Sequence, residues 1–432
     1  MSGVTDLPRR PFKGIMSFAP LLSRNWFARL TRNWFALLTR NWFALLTAIA
    51  LGWGRLSVAV DADPSADGWE VTAESEAAID RGLRWLAANQ GPEGNWGSND
   101  LGLVAVGALA FLSAGHLPGI GEHGEACERA LTYVVTKAKP SGLINIAEAR
   151  RDMYNHGLAT FVLGQAYGMT GDARVGKVLD RALKLIARTQ GPVGGWGYEA
   201  RPQDGDLSLS VMQAKALRSA VDSGFEIPPS VIEKAITNVR GHYFPKGGNA
   251  KSPEAELRKL PGQFTYAKGG GNATVAMAAA GVVCLQEFGQ YDDWRIAKSM
   301  EPVAAAITAF KPQAAHNGQL PLDAYTLNYV GQSLYQVGGP GWREHYPKLR
   351  DAVVGSQVLD SKNPANDGKW GAGGHVGGKP GDLYGTAVAV FVLAIPNRYL
   401  PILQEGRAEV GQPGDDARAP ARAASAGRGP PR

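Results

Sequence analysis

The segment DLGLVAVGALAFL, residues 100–112, has no polar face when wound as a helix, so it is stable only where other chain surrounds it. Five more segments share this character: NHGLATFVLGQAY (155–167), DLSLSVMQAKALR (206–218), NATVAMAAAGVVC (272–284), DAYTLNYVGQSLY (323–335) and DLYGTAVAVFVLA (382–394). Each opens on Asp or Asn, whose side-chain oxygens accept the unpaired backbone N–H groups of a first helical turn. The pattern predicts six buried helices, capped at Asp100, Asn155, Asp206, Asn272, Asp323 and Asp382.

A second kind of helix precedes each of them and carries a charged stripe suited to solvent. These are AIDRGLRWLAANQ (78–90), ACERALTYVVTKA (126–138), VLDRALKLIARTQ (178–190), VIEKAITNVRGHY (231–243), EPVAAAITAF (301–310) and KLRDAVVGSQ (348–357). A period of roughly fifty residues, with one longer unit, is that of a helical array. The simplest arrangement is all-α: six hairpins, buried helices as an inner ring and amphipathic ones outside, closing into an α/α toroid. Closure leaves no terminal repeat exposed, whereas the alternative, an open solenoid, needs caps at both ends.

Between the two kinds of helix lie glycine-rich turns. Gln90-Gly-Pro-Glu-Gly94-Asn-Trp96 and Gln190-Gly-Pro-Val-Gly194-Gly-Trp196 share the pattern Gln-x-x-x-Gly-x-Trp, and Gly368-Lys-Trp370-Gly371 looks like a third copy with a stretched loop. Glycine frees the turn, tryptophan packs across it, and glutamine can tie the end of an outer helix to its neighbour. In these motifs, and in Met153-Tyr154-Asn155-His156 and the run 166–172, the chain resembles the squalene cyclase and prenyltransferase repeat superfamily, above all its exported bacterial members. The resemblance spans residues 75–403 and implies the terpenoid cyclase-like α/α toroid. It does not by itself imply an activity, because one fold hosts many chemistries.

The ends read differently. Residues 24–47 contain RNWFARLT, RNWFALLT and RNWFALLT in tandem, and an apolar run from Trp42 to Trp53 precedes Ser57-Val58-Ala59, a small-x-small cleavage site. Residues 1–59 are therefore expected to be a signal peptide, making the protein periplasmic or extracellular. The alternative is an uncleaved anchor, since Trp and Phe beside Arg suit a membrane interface. From residue 405 to 432 large apolar residues give out, and a disordered tail is expected. The formal charge of +6 over 432 residues owes much to these two ends, which argues against a nucleic-acid partner. Cys127 and Cys284 stand far apart with no metal-ligand spacing, and no histidine pair forms a metal motif, so neither metal nor cofactor is expected.

Three chemistries can be tested against the residues. Class II terpene cyclases, as the resemblance implies, protonate an alkene with Asp-x-Asp-Asp at an inner-helix start. Asp204-Gly205-Asp206-Leu207 stands in that place with leucine for the last carboxylate, which makes Asp206 the candidate acid and Asp204 the neighbour that could raise its pKa. The zinc-binding Asp-x-Cys of protein prenyltransferases and the thioester motif of complement-type toroids do not occur. A polysaccharide lyase or glycosidase would draw on a ring of mouth carboxylates, with His156 among them. Tyr154, Asp323, Tyr325, Asp382 and Tyr384 share that layer as candidate ligand-binding residues.

The remaining reading is binding. Val104, Val106, Leu109, Phe161, Met277, Leu327 and Val390 predict an apolar cavity below a polar mouth, suited to an isoprenoid or lipid. The expectation from sequence is thus an exported toroid that binds an apolar small molecule or a protein partner, with cyclase or glycosidase activity as alternatives. The glycine-rich loops 242–272 and 360–381 are expected to form a lid over one mouth.

Overall fold

A computed structural model describes residues 69–248, 252–310, 315–373 and 381–404. The expected leader, its cleavage site and the tail lie outside these residues, as do parts of the two long loops.

Among the described residues, twelve principal helices follow one another. The outer set is α1 (Ala73–Ala88), α3 (Gly124–Lys137), α5 (Ala173–Thr189), α7 (Pro229–Arg240), α9 (Trp294–Thr308) and α11 (Gly339–Ser356). Alternating with them are the inner helices α2 (Leu101–Ser113), α4 (Asp152–Thr170), α6 (Leu207–Asp222), α8 (Val275–Glu287), α10 (Ala324–Val337) and α12 (Gly381–Ala394). Each inner helix packs on the next, from α2 through α12, and α12 packs back on α2. The inner ring is therefore closed, and the α/α toroid expected from the repeats is the fold of the protein. All thirteen residues of α2 are buried, as an all-apolar helix requires.

The helix starts depart from expectation. Asp206 accepts from Ser208 N at 2.9 Å, and Asp323 from Thr326 N at 3.1 Å, so these two cap as predicted. Asn272 does not, because Thr274 caps α8 through Met277 N. Asn155 lies inside α4, which begins three residues earlier, and Asp382 is the second residue of α12. The side chain of Asp100 leaves the N–H groups of α2 alone; its carboxylate instead takes Arg151 and Asn155. A residue type favoured at caps is equally suited to bridging two repeats, and the sequence pattern alone does not choose between these uses.

The glycine-rich turns join the repeats. Gln90 Nε2 donates to Gly94 O in its own turn (3.0 Å) and to Ala126 O of the next outer helix (2.9 Å). Gln190 does the same to Gly194 O and Val231 O, and Gln357 to Gly368 O and Ala78 O. Trp96, Trp196 and Trp370 each donate the indole N–H to a carbonyl of the preceding outer helix, at Leu86, Ile186 and Val353. The stretched third copy is thus complete, with Gln357 as its glutamine, and it ties α11 to α1. Gly368, at φ 91°, shows why glycine is needed: a Cβ there would stand 2.5 Å from the carbonyl oxygen of Arg81.

The axis is filled rather than hollow. None of the seven residues expected to line an apolar cavity is more than 4% exposed. Met212 of α6 accepts the Tyr329 hydroxyl of α10 at 3.3 Å, and the Lys215 ammonium lies 4.0 Å from the Phe161 ring and 5.7 Å from that of Phe391, which belongs to the opposite side of the ring. The long fourth-repeat loop is built in as well. Its strands β1 (Tyr243–Pro245) and β2 (Gly262–Phe264) pair antiparallel, with Tyr243 opposite Phe264. The Phe264 ring fills the space a side chain at Gly281 of α8 would need, so this part of the loop is packed into the inner ring.

Two outcomes follow. Gly368→Ala is expected to destabilise the fold by roughly 1–3 kcal/mol through forced backbone strain. Gly341→Ala, at an open position inside α11, should instead stabilise by about 0.5–1 kcal/mol, and urea unfolding reads both. Burial pushes the Glu287 carboxyl up, and the Lys215 amine down, each to about 7. The folded state then holds the extra proton on Glu287 as pH rises from 4.5 to neutral, so stability falls over that range. From neutral to 10.5 the unfolded chain holds the extra proton on Lys215, and stability rises. The Lys215→Met/Glu287→Gln pair should flatten this minimum near pH 7.

Candidate functional site

The inner helices all begin at one end of the ring, and their first turns bring phenols from several repeats together. Tyr154 comes from α4, Tyr325 and Tyr329 from α10, and Tyr384 from α12. Two more arrive on loops: Tyr198 follows the Gln190–Trp196 turn, and Tyr266 follows β2. The Tyr154 and Tyr198 rings lie 5.8 Å apart and those of Tyr325 and Tyr329 5.0 Å apart. Tyr384 is buried, while Tyr154, Tyr198, Tyr266 and Tyr325 each keep part of their surface open.

Asp206 anchors this cluster. Its Oδ2 accepts the Tyr198 hydroxyl at 2.7 Å, and Tyr198 in turn is hydrogen-bonded to the hydroxyl of Tyr266. Its Oδ1 accepts both the backbone N–H and the hydroxyl of Ser208, and Ser208 Oγ meets the Tyr154 hydroxyl at 2.5 Å. With Tyr198 and Ser208 donating to the carboxylate, Tyr266 and Tyr154 are left to donate to them, so every proton of the network points toward Asp206. Burial, reinforced by the Asp206 charge, pushes the Tyr154 and Tyr198 phenols well above their ordinary range and keeps them as neutral donors. The Tyr266 carbonyl takes Leu207 N at 3.1 Å, which fastens Tyr266 to the start of α6.

The other candidates occupy separate places. Asp204 does not face Asp206: its two oxygens accept Val193 N (3.1 Å) and Gly195 N (2.9 Å), so it staples the glycine-rich turn. The expected pairing of Asp204 with Asp206 is thereby corrected: both Asp204 oxygens turn to the loop, and among the described residues no hydrogen bond joins the two carboxylates. His156 is not at the mouth either. It is fully buried, with Nδ1 accepting from Ile144 N (3.3 Å) and Nε2 donating to Ala182 O of outer helix α5 (3.1 Å). Burial pushes it down to about 4, as suits a neutral ring that accepts from one backbone N–H and donates to one backbone carbonyl. Asp382 binds Lys369 at 2.9 Å, and Asp323 holds Thr326 by both backbone and hydroxyl. Burial, with the Asp206 charge adding to it, pushes the Tyr325 phenol well above its ordinary range, and burial with the Asp323 charge does the same to Tyr384.

Sequence reasoning missed Tyr198, Tyr266, Ser208 and His242. Tyr198 was within reach, two residues beyond a signature tryptophan. Tyr266 and His242 belong to the irregular fourth-repeat loop, where no periodicity marks which side chain turns inward. His242 is buried beside the Thr265 and Tyr266 carbonyls, and the Asp206 charge reaches it.

No protein-family model matches the sequence. No curated protein matches it either. Among solved structures, an inactive variant of the α-1,6-mannanase GH76A of Salegentibacter sp. HEL1_6, in complex with α-1,6-mannotriose, is similar over 76% of this chain and 99% of its own, at 10% identity and a TM-score of 0.47. A variant of the type II terpene cyclase MstE from Scytonema, in complex with its substrate, is similar over 76% of this chain and 98% of its own, at 14% identity and a TM-score of 0.45. Likenesses this distant concern the course of the chain, so the chemistry of the crater rests on its own residues.

Asp204→Ala leaves two turn N–H groups without their acceptor. It is expected to cost about 1–3 kcal/mol in urea unfolding and to disturb the near-ultraviolet signal of Trp196, while leaving the helical content unchanged.

Proposed function

We propose that the protein is a binding toroid whose site is the tyrosine-lined crater around Asp206, and that its ligand is a hydroxyl-rich chain, a glycan. The observation that carries this reading is the convergence of Tyr154, Tyr198, Tyr266, Tyr325 and Tyr384 with one hydrogen-bonded carboxylate. Tyrosine offers a broad rigid face at little entropic cost, together with a polar tip. The apolar face of a sugar ring can rest on such a surface while its hydroxyls exchange hydrogen bonds with phenols and carboxylates.

Two rival readings have less support. An isoprenoid needs an apolar hollow, and the axis is occupied by side chains. A cyclase acid needs a neighbouring group that keeps its proton on, whereas Asp204 is engaged in the turn and all the surrounding hydroxyls point at Asp206. Hydrolysis of a glycoside calls for two carboxyl groups flanking one bond. Among the described residues no hydrogen bond joins Asp206 to a second carboxylate, and Asp100, Asp323 and Asp382 each serve another partner. Binding requires no such pair. The leader read in residues 1–59 supports a site of action outside the cytoplasm.

Native affinity electrophoresis and calorimetry with soluble mannan, xylan, β-glucan and chitin oligosaccharides test the proposal. At least one glycan should retard the native chain, and Tyr198→Phe or Asp206→Asn should weaken it by about 10- to 100-fold, the effect of losing a hydrogen bond to a charged group. Absence of retardation by every glycan, with a stoichiometric lipid recovered from the purified protein by mass spectrometry, would return the function to an apolar ligand.

A further inference from the structure

Four aspartates stand at or beside the starts of inner helices α2, α6, α10 and α12, and they differ in what neutralises them. Asp100 has the Arg151 guanidinium at 2.5 Å, and Asp382 has the Lys369 ammonium at 2.9 Å. Asp206 and Asp323 take neutral donors instead: Tyr198, Ser208 and a backbone N–H for the first, the hydroxyl and backbone N–H of Thr326 for the second. Among the described residues neither has a lysine or arginine at ion-pair distance. The end of the ring that carries the phenols thus holds carboxylate charge that no basic side chain answers, which draws cations to it.

The bonds of Asp206 show where a cation would settle. Its Oδ1 is occupied twice, by the backbone N–H and the hydroxyl of Ser208, whereas Oδ2 accepts from Tyr198 alone. A carboxylate offers about four lone-pair positions, so one on Oδ2 is left, and Asp206 keeps part of its surface open. The rings around it belong to Tyr154, Tyr198 and Tyr266. Those of Tyr154 and Tyr198 lie 5.8 Å apart and tilted by 53°, and the Tyr266 hydroxyl meets that of Tyr198. All three residues are likewise partly open. The face of a phenol ring attracts a cation lying within about 6 Å of its centre. An ammonium group therefore gains twice at this place, from a charge-assisted hydrogen bond to Oδ2 and from the rings, while a sugar hydroxyl gains only an ordinary hydrogen bond.

We propose that the ligand of the crater is an amino-sugar polymer with free amines, and that Asp206 receives one of its ammonium groups among Tyr154, Tyr198 and Tyr266. The assignment rests on glycan binding at this crater and names the class of glycan. N-acetylation of the polymer removes the charge and leaves a bulkier neutral amide, so the acetylated form is the poorer ligand.

Calorimetry on the full chain, at mildly acid pH and low salt, compares the β-1,4-linked tetramers of glucosamine, N-acetylglucosamine and glucose, with tetralysine as a charged chain that lacks sugar rings. The glucosamine tetramer should bind at least ten-fold more tightly than each of the other three. Asp206→Asn, which keeps the shape of the side chain, should abolish its preference over the glucose tetramer. Tyr198→Phe keeps ring and carboxylate and should preserve that preference, as should Asp100→Asn, a loss of charge at a carboxylate already paired with Arg151. Equal affinity for the glucosamine and glucose tetramers, or a preference that survives Asp206→Asn, would overturn the ammonium assignment and leave glycan binding standing. Tetralysine bound as tightly as the glucosamine tetramer would overturn it too, since the crater would then read charge without sugar. Failure of every glycan, mannan and xylan included, would remove glycan binding itself and this assignment with it.

Discussion

A ring of hairpins holds only if its last repeat grips its first, and here that grip is a glutamine and a glycine. Gln357 reaches back to the carbonyl of Ala78, and Gly368 lets the backbone pass against Arg81 at a distance no side chain would permit. The same joint recurs at Gln90 and Gln190, so the closing contact is one more instance of the contact between neighbours. The inner helices depend on it. Segments as apolar as α2, α8 and α12 have no solvent-compatible face, and a ring open by one repeat would leave two of them uncovered.

Closure also divides the interior into regions of different chemistry. At the N-terminal end of the inner ring the helix starts carry carboxylates and phenols, which gather about Asp206. Along the axis the side chains interdigitate across the ring, as Met212 with Tyr329 and Lys215 with Phe391 show. At the C-terminal end the chain folds back over its own ring through Ile402 and Leu403. The phenols and the Asp206 carboxylate are thus gathered at the N-terminal end of the inner ring.

Several residue types had one local meaning in the sequence and another in space. Asp100 and Asn155 stand where caps are expected, yet they bind one another and Arg151 across two repeats. Asp204 sits two residues from Asp206, an invitation to read a catalytic pair, but the backbone between them turns its side chain into the preceding loop. His156 follows Asn155 in the sequence, but the helical twist carries its ring away from the mouth to the outer helix. In each case the residue was noticed for its chemistry, and its direction followed from backbone geometry not visible in the pattern.

The sequence by itself determined the architecture, because hydrophobic periodicity and the Gln-x-x-x-Gly-x-Trp turns are set by residues a few positions apart, and each repeat restates them. It also placed Tyr154, Asp206, Asp323, Tyr325, Asp382 and Tyr384 in one layer at the inner-helix starts. Only the tertiary structure decided which of those side chains meet, that Tyr198 and Tyr266 complete the cluster from irregular loops, and that the axis is packed around a buried lysine. Those outcomes depend on the register of six helices against one another and on the path of aperiodic chain between them, where contact is made by residues tens to hundreds of positions apart.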